Sequence, residues 1–320
     1  MDKEYIQNLR YKLQKRFRRL NSVENNMFHS SLKQFWGFLN RYPIFLGILE
    51  ELERQYSPTK SLTEEIVTQK KIIVFNDELV NAAAGYFIIK QCIESTDDQA
   101  EATIGFIYKR SYDEAVESFR SMFVEPLYEY IDERLDDQKA FLALLRRYKH
   151  KCEWFQRDQL YRLLIDDTKH GEKNLALDLY EFLYDQGLDF MIEPWSISGE
   201  ADLVSAQAGD EPLIADAKIF NPESGRGKEY IVKGFNQLYQ YTLDYNETFG
   251  YLIIYKTCPI DLKFALSDQE QFIPFIIHNN KTIFILTIDI FPHEKPASKR
   301  SGVRTMEITG EDLIKIEAGT

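Results

Sequence analysis

Apolar residues recur at three- and four-residue spacing through the first half of the chain, the period of helices with one buried face. Tyr5, Ile6, Leu9, Leu13, Phe17 and Leu20 form the first such stripe. Further helices are predicted over Met27–Leu39, over Ile44–Tyr56 after Pro43, and over Asp77–Ile93. The pattern continues over Ser111–Asp136 (with Pro126 as a break), Gln138–Tyr148, Trp154–Leu164 and Asn174–Gln186. Ser95–Ala102 is polar and reads as a loop, followed by a short strand at Ala102–Tyr108. Near Asp166 the character changes. Asp166–Glu172 reads as a turn, and the helix after it meets the stop signal Gln186-Gly187. Strands are then predicted over Phe190–Ile192, Gly199–Ala206, Leu213–Phe220 and Tyr251–Tyr255, with a helix over Glu229–Tyr245. Phe272–His278 and Thr282–Ile290 read as a hairpin joined at Asn279-Asn280-Lys281. This order predicts an all-α domain over residues 1–165 and an α/β domain over residues 166–320, a mixed sheet flanked by helices.

Composition narrows the class. At 320 residues and 44% hydrophobic, the chain is long enough for two cores. Mean hydropathy is −0.38, and no apolar run approaches the roughly 20 residues of a membrane span, so no membrane partner is expected. Met1-Asp2-Lys3-Glu4-Tyr5 carries no signal-peptide segment, and a cytoplasmic protein is expected. Cys92, Cys152 and Cys258 are widely separated and odd in number, against a disulfide framework and against zinc. A net charge of −12 argues against a sequence-independent nucleic-acid coat. It leaves room for an enzyme that meets phosphates through a local basic patch. The basic residues Arg10, Lys12, Lys15, Arg16, Arg18 and Arg19 read as the solvated face of the first helix, with a nucleic-acid or partner contact as the sharper alternative. Lys281, Lys295, Lys299, Arg300 and Arg304 read as a mobile basic loop, or more sharply as a DNA-binding flap.

The candidate chemistry lies in the second half. Leu213–Phe220 is almost wholly apolar, as a buried strand is, yet it carries Asp216 and Lys218 two positions apart. Residues two apart on a strand share a face, so the two side chains emerge together. Glu200 and Asp202 repeat the device on the strand before. Were these strands to pair as a hairpin, Asp202 and Asp216 would approach. Two carboxylates brought together out of water cost several kcal/mol unless a cation lies between them. The pattern therefore points to an acidic divalent-metal site with a lysine beside it.

Glu181 in a helix, Gly199-Glu200-Ala201-Asp202 in one strand, Asp216-Ala217-Lys218 in the next and Gln237-Leu238-Tyr239-Gln240-Tyr241 in the following helix come in a recognisable order. Together they resemble the PD-(D/E)XK nuclease superfamily, in its branch with a Gln-x-x-x-Tyr motif. The resemblance covers about residues 170–256 and does not extend to the N-terminal half. Where the proline of the family name would stand, the chain has Gly199-Glu200-Ala201. The resemblance implies a restriction-endonuclease-like core. It also implies Mg²⁺ or Mn²⁺ held by Asp202 and Asp216, with the Ala217 carbonyl as a further ligand. Lys218 would orient the attacking water and offset phosphate charge, while Glu181 would reach the site from its helix. Glu200 would stand behind these ligands, or be a solvated strand residue. Gln237 and Tyr241, one turn apart, would touch the nucleic-acid backbone or brace the lysine. Arg226, Lys228 and Lys233 would contact phosphates near a helix N-terminus.

The resulting expectation is a metal-dependent nuclease acting on nucleic acid, DNA favoured over RNA, in a prokaryotic defence or DNA-processing role. The helical half would then bind a regulatory partner or a second copy of the chain. Two other classes compete with it: a non-catalytic nucleic-acid- or protein-binding module on a nuclease-like fold, and a helical interaction protein with a structural C-terminal domain.

Overall fold

The computed structural model describes residues 5–186, 191–192, 195–196, 199–200, 203–204, 214–266, 273–293 and 304–314. The chain divides into two compact units, Met1–Phe141 and Leu142–Thr320. The change of character near Asp166 thus falls inside the second unit.

The first unit is helical. It contains α1 (Tyr5–Asn21), α2 (Phe28–Leu39), α3 (Pro43–Gln55), α4 (Thr59–Gln69), α5 (Glu78–Glu94), α6 (Ala100–Gly105), α7 (Tyr112–Phe119) and the start of α8 (Glu125–Trp154). Pro43 opens α3, where its missing N–H costs nothing. Asp77 caps α5 by accepting the Val80 N–H at 2.9 Å. The middle of α5, Ala82 to Ile89, is buried on every side, which makes it the central helix of the unit. Gly85 permits this: a Cβ there would lie 2.2 Å from the Phe123 carbonyl oxygen.

Three expectations are corrected here. Ala102–Tyr108 is not a strand: α6 runs over Ala100–Gly105, because a short apolar run fits either period and the alanines favour helix. Pro126 does not break a helix. It occupies the first turn of α8, after a single π-type turn at Arg120–Val124, and α8 continues unbroken to Trp154. The basic face of α1 is only partly solvated: Arg10 donates to Asp132 at 3.0 and 2.8 Å and also pairs with Asp136. Arg16 lies 4.3 Å from the centre of the Phe38 ring.

The second unit adds α9 (Arg157–Asp166), α10 (Gly171–Asp185), α11 (Lys228–Asp244) and α12 (Gly310–Ile314). Its strands are β1 (Met191–Ile192), β2 (Trp195–Ser196), β3 (Gly199–Glu200), β4 (Leu203–Val204), β5 (Ile214–Phe220), β6 (Phe249–Lys256), β7 (Asp261–Ala265), β8 (Phe275–His278), β9 (Lys281–Asp289) and β10 (Thr305–Thr309). Among the described residues the main sheet has the order β1-β4-β5-β6-β9-β8. β4 runs antiparallel to β5, with Leu203 opposite Ala215 and Val204 opposite Ile214. β5, β6 and β9 are mutually parallel, and β8 closes antiparallel on β9. The fold is therefore mixed α/β.

β5 and β6 read as near-continuous apolar runs because both faces of the sheet are covered. On one face Ile231, Phe235 and Leu238 of α11 pack with Ile214, Phe220, Leu252 and Ile254. On the other, Tyr255 of β6 donates to the Leu175 carbonyl of α10 at 3.1 Å and meets the Tyr148 hydroxyl of α8 at 2.7 Å. Within the predicted strand Gly199–Ala206, the described part Gly199–Glu200 (β3) pairs with β2, and Leu203–Val204 (β4) pairs with β5. Lys281 is not in a mobile loop but buried at the start of β9.

Candidate active site at the β5–α11 face

Strand alternation places Asp216 and Lys218 on one face of β5, beneath α11. The Asp216 carboxylate is 1% exposed, and the Lys218 ammonium stands 3.0 and 2.8 Å from its two oxygens. Asp216 has left water and the Lys218 side chain, 11% exposed, nearly so, and each offsets the desolvation of the other. Room for the lysine stem comes from Gly234 of α11: a Cβ there would lie 2.9 Å from both Cγ and Cε of Lys218. Tyr230, Gly234, Gln237 and Tyr241 recur at helical spacing, so one stripe of α11 faces this part of the sheet. Within it Gln237 donates to the Tyr241 hydroxyl at 2.5 Å, and Tyr241 is fully buried. Tyr241 belongs to the core, whereas Gln237 is partly exposed and is tied to it by this bond.

The helix-borne carboxylate that reaches β5 is Glu172, not Glu181. Glu172 accepts the Ile219 N–H at 2.9 Å and takes the Tyr230 hydroxyl on both oxygens at 2.7 Å. Glu181 is exposed. It lies about two and a half helical turns beyond Glu172, and so on the opposite face of α10. Burial, then the bond to Glu172, pushes the Tyr230 phenol up to about 12, while Lys218 and Arg226 pull it down. Tyr230 is thus a fixed donor at neutral pH. An acid in the first turn of a helix looks like ordinary dipole compensation, so nothing marked Glu172 in advance. The Tyr230-Gly234-Gln237-Tyr241 stripe was the available signal.

Backbone direction matters as well. The Phe220 carbonyl accepts the Thr257 N–H on the β6 side, at 3.1 Å, while the Ile219 N–H turns to Glu172 on the other edge. Alternate residues send their backbone groups to opposite edges, so the Ala217 carbonyl points to the edge that carries Glu172. Asp202 lies outside the described residues, and of Glu200 only its backbone, in β3, is described. Among the described residues no three metal-ligating side chains converge.

The basic residues divide. Arg226 closes a tight loop, exchanging backbone bonds of 2.9 and 3.0 Å with Asn221 across Gly225, whose φ is +81°. The residue is half-buried, and among the described residues no carboxylate pairs with it. Lys228 is engaged elsewhere: its ammonium holds Asp312 of α12 at 2.7 Å. Lys233 is exposed on α11. His170 pairs with Asp167 at the surface, and His293 pairs with Asp289 inside the unit.

Compared with known proteins, the chain matches no family model, no curated protein and no solved structure. Among the described residues no helix is long and apolar enough to cross a membrane.

Proposed function

We propose that the second unit is a metal-dependent nuclease with a restriction-endonuclease-like core. The observation that carries this reading is the buried Asp216–Lys218 pair on one face of a strand, against a helix that bears Gln237 and Tyr241. Folding alone does not favour placing such a pair in a core, because apolar side chains of similar volume are as stable or more so. The chain order α10, β1, β4, β5, α11, β6 supports the same reading, as does the antiparallel register of β4 on β5.

The donors suit a hard cation. Asp216 offers carboxylate oxygens, Ala217 a carbonyl on the neighbouring edge, and Asp202, next in the chain before β4, the second carboxylate. When bound, Mg²⁺ or Mn²⁺ would supply Lewis-acid polarisation of the phosphoryl group. Lys218 orients the attacking water and offsets charge on the phosphate. Gly234 leaves the channel in which its stem lies, and the Gln237–Tyr241 bond keeps that wall of α11 rigid. Glu172 acts one step back: it holds the open edge of β5 and the Tyr230 phenol in register. DNA is the favoured substrate, and the helical unit serves as the regulatory or partner-binding half.

Plasmid cleavage with Mg²⁺ or Mn²⁺ tests the proposal. The parent is expected to nick or linearise DNA, while Asp216→Ala and Lys218→Ala fall by about 10²–10³-fold, the usual cost of removing a group that stabilises transition-state charge. Cutting by both variants at the parent rate would assign the cleavage to a contaminating nuclease or to a different site and remove this one; no cutting by the parent would leave the binding-module class.

A further inference from the structure

A cavity of about 290 Å³ opens where β5 and β6 end, between α9 and the loop after β5. Its lining combines apolar residues, Tyr161, Leu164 and Ile219, with polar ones, Thr168, Thr257 and Arg226. Parallel strands of an α/β sheet present ligand crevices at their carboxyl ends, and this cavity lies at the ends of two of them.

Three features say what it takes. Arg226, half-buried as a residue, pairs with no carboxylate among the described residues, and its fork of N–H donors suits a phosphate. The Tyr161 ring and the aliphatic walls suit the flat apolar faces of a base, with hydroxyls at its rim. The volume of about 290 Å³ is close to the lower end of ligand pockets, near about 300 Å³, which suits a ligand of the size of one nucleotide unit. Ile219 lines the cavity from the face of β5 opposite Asp216 and Lys218, so cavity and pair share one strand but stand on its two sides.

We infer that this cavity is a binding subsite for a single nucleotide, with Arg226 on its phosphate and the base against Tyr161, Leu164 and Ile219. It rests on the nuclease reading for the identity of the ligand, as one residue of the strand being cut. Binding to it requires no cleavage.

Calorimetry on the full chain in the presence of a chelator, with deoxyadenosine 5′-monophosphate, deoxyadenosine and inorganic phosphate as probes, tests the subsite. The nucleotide is expected to bind, and each fragment to bind at least about tenfold more weakly, the scale of one lost charge-assisted contact. Arg226→Gln should weaken the nucleotide by about tenfold and leave deoxyadenosine unchanged. The unchanged nucleoside shows that the variant is folded. Tyr161→Ala should weaken nucleotide and nucleoside alike. Absence of nucleotide binding by the parent, phosphate binding as tightly as the nucleotide, or an Arg226→Gln variant indistinguishable from the parent would overturn the proposal. A chain that binds the nucleotide as described and yet fails to cut DNA would remove the nuclease reading and keep the subsite.

Discussion

At the scale of single residues, Asp216 and Lys218 are constrained from three directions. Strand geometry fixes their common face, burial removes their competing water, and α11 leaves one narrow channel for the lysine. Gly234 is the cheapest place to disturb that arrangement. Gly234→Ala puts a methyl group 2.9 Å from the Lys218 stem, so the ammonium must move while the helix itself gains up to about 1 kcal/mol of propensity. The expected outcome is a cleavage rate at least about tenfold lower, as small misplacements give, with an unfolding midpoint no lower than the parent's. An unchanged rate would show that Lys218 is not positioned by α11. The pairing of Asp216 with Lys218 was legible in the chain because strand alternation is local. Glu172 was not, since choosing it over Glu181 requires knowing which way α10 is rotated on the sheet.

At the scale of elements, the β8–β9 hairpin shows a local signal carried through to geometry. Asn279 and Asn280 take φ of +46° and +61°, and His278 pairs with Lys281 across them. A two-residue turn with both central residues left-handed matches strand twist, which is why asparagine and glycine favour it. Replacing Asn280 by Gly or Ala removes the same amide, but only glycine enters this region freely. Urea unfolding is expected to find Asn280→Ala less stable than Asn280→Gly by about 1 kcal/mol, the steric cost of the left-handed region. Equal stabilities would mean that the turn relaxes to another form. Elements without such punctuation were read less well. α4 carries no capping side chain, and α6 is too short for its period to show. Pro126 signals a break in sequence but is harmless in a first helical turn.

At the scale of the molecule, stability in acid depends on a cluster at the carboxyl ends of β6 and β9. Lys256, 4% exposed, reaches Asp289 at 3.0 Å and Asp261 at 3.2 Å, and His293 meets Asp289 at 2.9 Å. Burial pushes the Asp289 carboxyl up, but the His293 bond and the Lys256 charge outweigh it and hold it below the ordinary value. A carboxyl lowered by folding stabilises the protein fully above its unfolded pKa of about 3.9, and that contribution is lost as pH falls through the folded value. Asp289→Asn should therefore cost about 1–3 kcal/mol near neutral pH and progressively less in acid below about pH 4. Unfolding of parent and variant across that range checks the convergence, and a gap that widened in acid would reverse the assignment. By itself the chain determined what depends on near neighbours: the helical first half, the mixed α/β second half, and the shared face of Asp216 and Lys218. Only the tertiary structure decided what depends on residues far apart. It turned Glu172 rather than Glu181 toward β5, tied Lys228 to Asp312, buried Lys281 in β9, and left Arg226 facing a cavity. Periodicity reports which face of an element is apolar, whereas the partner of a charged side chain is set by how whole elements pack.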